Sequence, residues 1–440
     1  MNRTYGQMDR TLDDFLTIHL QDLENDERIE ALAWYCQGLG LELANKTVFG
    51  IASRLMPGDV EHCRQRMQRA LQKGRFDHAD VFERLQTTVF DTASHQMTAY
   101  AVDDTGIAKK GTSSVGVQRQ YSGTLGKIDS CQIIVTLNGA SDDFGVCLGA
   151  ELFLPQSWVD DEERLDKARV PEEHRFVWTK PEIALRLLEQ AIENGGPRKP
   201  VVADAAFGDS RDFREGLSAL GLKYAVAISA NTCIWPPGAT PRTPPPTGRR
   251  GRPPSFERDP RGKKPIRVDQ YAGKLWRSGK FKSVTWRQGT KGSLREKFCA
   301  VRIRSAERRT KNRKATEPLW LLIEQDASRD SGFKYYLSNL PESTALKKLV
   351  RIAKVRWHIE RDYQDMKQKL GFDRYEGRTW GGLHRHLAMV ALMHAFVSLH
   401  REDFSPDPIA ERVDVGRLSP CPTCGAHALD RALPDLRETV

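Results

Sequence analysis

Residues 198–229 read RKPVVADAAFGDSRDFREGLSALGLKYAVAIS. RKPVVAD is a short apolar strand ending in Asp204, SRDFREGLSALG follows as a helix, and LKYAVAIS returns as a strand. Just upstream, Pro181–Glu193 reads as a helix that stops at Gly195-Gly196, as C-terminal glycines commonly stop helices. Further back lie three more strand-like runs. MTAYAVDD (97–104) ends in Asp103 and Asp104, SCQIIVTL (130–137) is β-branched and suits a buried strand, and GVCLGAELFL (145–154) is the third. Strand, helix, strand, helix and strand in this order predict an α/β core with parallel pairing.

The flanks have a different texture. From about Thr11 to Phe90 apolar residues recur at helical spacing, as in Phe15, Ile18 and Leu23 or Ile29, Leu32 and Cys36. This predicts a small all-helical domain of four or five helices, broken at Pro57-Gly58-Asp59. From Trp235 to Pro265 the chain carries ten prolines and many arginines and reads as loop. Ile266–Ile323 then alternates, with Phe281, Val284, Trp286, Phe298, Val301 and Ile303 as anchors, and is read as β-hairpins. Helical texture returns at about Thr344 and lasts to His400. The expected division is therefore a helical domain (1–93), an α/β core (94–230), a basic Pro/Arg-rich and β-rich segment (231–340), a helical return to the core (341–402) and a tail (403–440).

The 440 residues carry a net charge of +10, unevenly spread. Pro236–Ala315 holds 24 Lys and Arg against 5 Asp and Glu, a net +19, which leaves −9 for the rest. A basic block inserted in an acidic protein points to a polyanionic partner, most simply nucleic acid; the alternative is a solvated charged loop. No run of ~18 apolar residues argues for a membrane span. Acids in the first twenty residues argue against a signal peptide. Eight scattered cysteines suit a reducing compartment, so a cytoplasmic protein is expected.

Carboxylates at strand ends are the chemical signal, because ligands of α/β sheets collect there. Side chains alternate along a strand, so Asp103 and Asp104 cannot both face one site. A third acid comes from VRWHIERDYQDMKQKLG (355–371), read as one helix. At ~3.6 residues per turn, Arg356, Glu360 and Lys367 fall within about a 60° arc, beside an apolar stripe of Val355, Ile359, Met366 and Leu370. Asp362 and Asp365 point elsewhere. Converging carboxylates without His or Cys suit Mg²⁺ or Mn²⁺, and a pair of such ions serves phosphodiester displacement. Singly, each Asp is a turn or capping residue and Glu360 a surface ion pair; only the joint pattern with the basic block favours a site.

At these residues the chain resembles DDE-type insertion-sequence transposases of the insertion sequence 701 group, related more distantly to the insertion sequence 4 superfamily. The resemblance covers roughly Gln37 to His400. It is carried by AVDDTGIAKKGTSSVGVQRQYSGTLGKIDSCQ (101–132), VVADAAFGDSRDF (201–213) and RWHIERDYQDMKQKLGFDRYEGRTWGGLHRHLAMV (356–390). It implies an RNase H-like catalytic core in which a β-rich insertion separates the second Asp from the Glu. The 156 positions between Asp204 and Glu360 leave room for it. It implies Asp104, the Asp directly before Thr, as the first catalytic and metal-binding residue, then Asp204 and Glu360, with Asp103 as the alternative to Asp104. The family's helix signature Y-(2)-R-(3)-E-(6)-K is met by Arg356, Glu360 and Lys367, which would grip phosphate, but Ala353 stands where the Tyr belongs.

The implied activity is binding of the element's terminal inverted repeats, metal-dependent cleavage, and joining of the 3′-hydroxyl to target DNA. Mg²⁺ is the implied ion, with Mn²⁺ substituting. Double-stranded DNA is the partner, a homodimer on DNA the assembly, and the bacterial nucleoid the place. Rival readings are a nuclease that cuts without joining, a domesticated DNA-binding regulator, and an RNA-binding protein using the Pro/Arg-rich segment.

Lys109, Lys110, Arg119 and Lys127, in the Gly/Ser-rich stretch after the first acids, are candidate DNA phosphate contacts. Trp276 and Trp286 either stack on an unpaired base or pack the hairpins. His384, His386 and His394 are read as packed or surface histidines. Cys421, Cys424 and His427 resemble half a zinc knuckle, with no second pair nearby to complete it.

Overall fold

A computed structural model of the chain describes residues 12–242, 257–289, 292–306, 317–326 and 332–400. Five helices come first: α1 (Leu12–Leu20), α2 (Asp26–Gly40), α3 (Val48–Leu55), α4 (Val60–Lys73) and α5 (His78–Ala93). Asn25, Thr47 and Asp77 cap the second, third and fifth by accepting from free backbone N–H groups of the first turn. Then follow β1 (Ala99–Ala108), β2 (Gln118–Ser122), β3 (Lys127–Ala140) and β4 (Gly145–Phe153), and the helices α6 (Gln156–Val159), α7 (Glu162–Ala168) and α8 (Lys180–Glu193). A capping box between Thr179 and Glu182 starts α8, and Gly195, at φ +86°, turns the chain away after it.

The opening stretch of the sequence analysis forms β5 (Val201–Ala203), α9 (Ala205–Gly208), α10 (Arg211–Ala219) and β6 (Ala225–Ile228). Beyond it come β7 (Cys233–Trp235), β8 (Ile266–Arg267), α11 (Val268–Arg277), β9 (Lys282–Gly289), β10 (Gly292–Ser305), β11 (Leu319–Gln325) and β12 (Phe333–Ser338). The last elements are α12 (Leu346–Lys354), α13 (Trp357–Gln364), a π-helical turn at Asp365–Lys369 and α14 (Trp380–Leu399).

The chain divides into two compact units. The first holds residues 12–97, 104–197 and 358–400. In it β3 pairs antiparallel with both β2 and β4. Its centre is α14, apolar on every side and therefore enclosed, packed on β4, α2, α4 and α5. The three histidines of α14 are packed, not exposed. His386 bridges Tyr35 Oη (2.8 Å) and the Phe372 carbonyl (3.1 Å), and His394 Nδ1 accepts from the Cys147 N–H.

The second unit holds Thr98–Asp103 and Arg198–Trp357. Here the start of β1 pairs parallel with β5, as expected, in the register Tyr100↔Val201 to Val102↔Ala203. An antiparallel ladder runs β6-β12-β11-β10, with β9 and β7 also on β10. The hairpins read from alternation are present in β9 to β12, but Val268–Arg277 is a helix. Val268 and Ala272, one turn apart, are its buried residues, and the intervening polar positions face out.

Among the described residues six cysteines are free thiols. No helix there is long and apolar enough to cross a membrane. Cys421, Cys424 and His427 lie outside the described residues, as do the tail from 403 and residues 243–256 of the Pro/Arg-rich stretch.

Candidate active site and DNA interface

Strand β1 carries two adjacent acids in its middle, not at its end. The run expected to stop at Asp104 continues to Ala108, because Thr105, Gly106 and Ile107 are buried and keep the strand in its sheet. Alternation sets Asp103 and Thr105 on one side and Asp104 on the other. Their partners differ accordingly. Asp103 Oδ2 accepts from Arg356 Nη1 at 2.7 Å, and Asp104 Oδ2 accepts from Lys180 Nζ at 2.8 Å. Lys367 Nζ donates to Thr105 Oγ1 (2.6 Å) and to the Gly106 carbonyl (3.1 Å), and burial lowers its pKa.

Asp204 follows the last registered pair of β1 and β5 and is the N-cap of α9. Its Oδ1 accepts from the N–H groups of Ala206 (2.9 Å) and Phe207 (3.4 Å). Those bonds fix the carboxylate at the head of a four-residue helix. The capping reading of this Asp is thus its resting geometry.

The segment that carries Glu360 is not one α-helix. Helix α12 ends at Lys354, Val355 and Arg356 form a turn, and α13 gives way at Asp365 to a π turn closed by a Leu370 N–H to Asp365 carbonyl bond. Gly371, at φ +70°, ends it. The apolar stripe is buried as expected, with Val355, Ile359, Met366 and Leu370 all inside. The wider π turn shifts the phase of everything after Gln364, so a continuous 3.6-residue wheel does not place Lys367. Glu360 is exposed. Ala353 is buried in α12, so the position given to Tyr by the family pattern offers no hydroxyl.

Asp362, set aside on the sequence, is buried. Its pKa is pushed up to about 8 by burial, with Asp365 adding to the rise. A Cβ on Gly145 would run into its carboxylate, so any larger residue there has to displace Asp362.

The candidate phosphate contacts separate into two kinds. Lys110 and Arg119 line a groove with Arg164, Lys167, Arg378 and Trp158. The Arg164 guanidinium lies 3.9 Å over the Trp158 ring, and its Nη2 donates to the Thr112 carbonyl. By contrast, Lys109 Nζ donates to the Tyr375 carbonyl (2.6 Å), and Lys127 pairs with Asp129 (2.9 Å). Arg164, Lys167 and Arg378 had no signal in the sequence, since they meet only through the fold. Trp276 packs on Phe281 and Phe333, and Trp286 on Phe298, which is the hairpin-packing alternative.

Asp104 and Glu360 belong to the first unit and Asp204 to the second. Among the described residues no three carboxylates have ligand atoms within 4.8 Å of one another. The donors that the pattern offers are all oxygen, a set that fits a hard divalent ion.

A family model described as DDE superfamily endonuclease matches residues 19–293. The chain belongs to that family, whose members generally use divalent metal ions. The matched residues include Asp104 and Asp204; Glu360 lies beyond them. The chain is also 37% identical over 134 residues to the probable transposase for insertion sequence element IS701 of Microchaete diplosiphon. That match covers 30% of this chain and 31% of the relative, so the chain spans about a third of the relative's length. The resemblance read from the motifs is met by both comparisons.

Proposed function

We propose that this protein is a transposase that binds the terminal inverted repeats of its own mobile element, cuts DNA there and joins the freed 3′-hydroxyl to target DNA. The observation that carries this reading is membership of the DDE endonuclease family together with the likeness to an insertion-sequence transposase. The core is assigned an RNase H-like fold, a reading supported by the parallel β1–β5 pair in the second unit and by antiparallel β2, β3 and β4 in the first. Residues 1–93 are assigned to end binding, 231–340 to a basic insertion and 341–402 to the return that brings Glu360. A homodimer on double-stranded DNA in the bacterial cytoplasm, at the nucleoid, completes the assignment.

Asp104, Asp204 and Glu360 would hold Mg²⁺ or Mn²⁺. Two such ions, when bound, stabilise the attacking and leaving oxygens of phosphodiester displacement. The residues of the chain orient and neutralise. Arg356 and Lys367 would exchange Asp103 and Thr105 for DNA phosphate, and the groove of Lys110, Arg119 and Arg164 would track the backbone, while Lys109, tied to the Tyr375 carbonyl, and Lys127, paired with Asp129, are left out of that role. The test is cleavage of a labelled duplex carrying the element's ends, in Mg²⁺ or EDTA, with Asp204→Asn beside wild type. Metal-dependent nicking at the ends, lost in the variant, is expected. Tight binding without cleavage in Mg²⁺ would replace the enzyme by a DNA-binding regulator.

A further inference from the structure

Four side chains from distant parts of the sequence meet inside the first unit. They are His78 at the start of α5, Glu151 on β4, His174 before α8 and His384 on α14. Glu151 stands at the centre. Its Oε2 is 3.8 Å from His78 Nε2, and its Oε1 is 3.5 Å from His174 Nδ1 and 3.7 Å from His384 Nε2. The ligand atoms of His78, Glu151 and His384 lie within 4.8 Å of one another, the one such set among the described residues.

These separations are the informative feature. An N–H···O hydrogen bond closes to roughly 2.7–3.2 Å, and none of the three pairs does so. Donors bound about 2.0–2.1 Å from one tetrahedral ion stand about 3.3–3.5 Å apart, close to what is found.

The outer nitrogens are already engaged in the way that metal-bound imidazoles require. His78 Nδ1 is 2.9 Å from the Asp77 carboxylate, and His384 Nδ1 is 3.0 Å from the Trp380 carbonyl. Each bond fixes the proton on Nδ1 and turns a basic Nε2 towards Glu151. A rival for His384 Nε2 exists in the Leu152 N–H, but at 3.3 Å it is a long bond that an ion would displace. Two carboxylates, Glu151 and Asp77, balance a divalent charge. Nitrogen with oxygen is a donor set for zinc-class ions, unlike the all-oxygen set of the acid triad.

We propose that His78, Glu151 and His384 bind one divalent transition-metal ion of the zinc class, apart from the catalytic acids, fastening α5, β4 and α14 together. The site would be structural: its ligands come from the helices and strand that enclose α14, and it shares no residue with the acid triad.

The test is Zn²⁺ titration of the metal-stripped full-length protein against a chromophoric chelator, in excess Mg²⁺, with Co²⁺ absorption as a second readout. Wild type and Glu360→Gln should each bind one Zn²⁺ per chain and give the same Co²⁺ spectrum. Glu151→Gln should weaken Zn²⁺ at least about tenfold and lose that spectrum, and Asp77→Asn should weaken it by about 10–100-fold. If Glu151→Gln does not fold, His78→Gln, a partly exposed ligand at the start of α5, supplies the comparison. Wild type that binds no Zn²⁺ at micromolar concentration, or no more tightly than these variants, overturns the proposal and leaves the cluster an ion-pair network.

Discussion

Arg356 Nη1 lies 2.7 Å from the carboxylate of Asp103, while the neighbouring Asp104 turns to the other side of β1 and takes Lys180. Only one of the two acids can serve as the first ligand, and two arguments pull apart. The family pattern selects Asp104, the acid before Thr. The geometry gives Asp103 the guanidinium of Arg356, the arginine of the family's helix signature. With Asp104 as the ligand, Asp104→Asn abolishes cleavage, whereas Asp103→Asn, which only loosens Arg356, leaves a rate lowered by about 10–100-fold, about 1.4–2.7 kcal/mol of barrier. Single-turnover cleavage of a pre-nicked end measures both. The reverse ranking moves the ligand to Asp103.

The groove should announce itself through salt. Arg119→Ala and Arg164→Ala each remove one phosphate contact, so each lowers the slope of log Kd against log salt by about 1 on duplex of any sequence. Lys109→Ala should leave that slope unchanged and instead reduce stability, because its ammonium is tied to the Tyr375 carbonyl.

Acid should loosen the first unit. His19 and His386 are buried and hydrogen-bonded, and burial lowers each pKa to about 4. Their folded pKa values lie below the unfolded value of about 6.5, so the unfolded chain takes up protons that the folded chain refuses. Stability is full above about pH 6.5 and is lost as the pH falls towards 4. Between pH 7.5 and 5 the loss is about 2 kcal/mol per histidine. Urea unfolding at a series of pH values measures it, and His19→Gln should remove one histidine's share of the slope.

Gly145→Ala forces a methyl group against the buried Asp362 carboxylate. The expected cost is about 1–3 kcal/mol of stability, read from the urea midpoint. Shortening Asp362 to Ala in the same chain should recover part of it.

What could be read from the sequence was what is local. The run PVVAD with the following helix was readable as β5 and α10, and Pro181–Glu193 with Gly195 behind it as α8, because strand, helix and stop signals act over a few residues. Helix α11 was hidden by hydrophobic residues that serve alternation and helical spacing equally well. The break at Val355 and Arg356 and the π turn depend on partners elsewhere, Asp103 and Thr105 among them, which no periodicity carries. Arg164 and Arg378 in the groove, and Glu151 among its three histidines, are brought together by the fold alone.

The most direct test of the central claim is strand transfer. Purified protein is given a labelled duplex ending in the element's inverted repeat and a supercoiled target, in Mg²⁺, Mn²⁺ or EDTA, with Glu360→Gln in parallel. Joined products that need metal and vanish in Glu360→Gln are predicted. Cleavage without joining would contradict the claim and leave a nuclease, and joining that survives Glu360→Gln would remove Glu360 from the site.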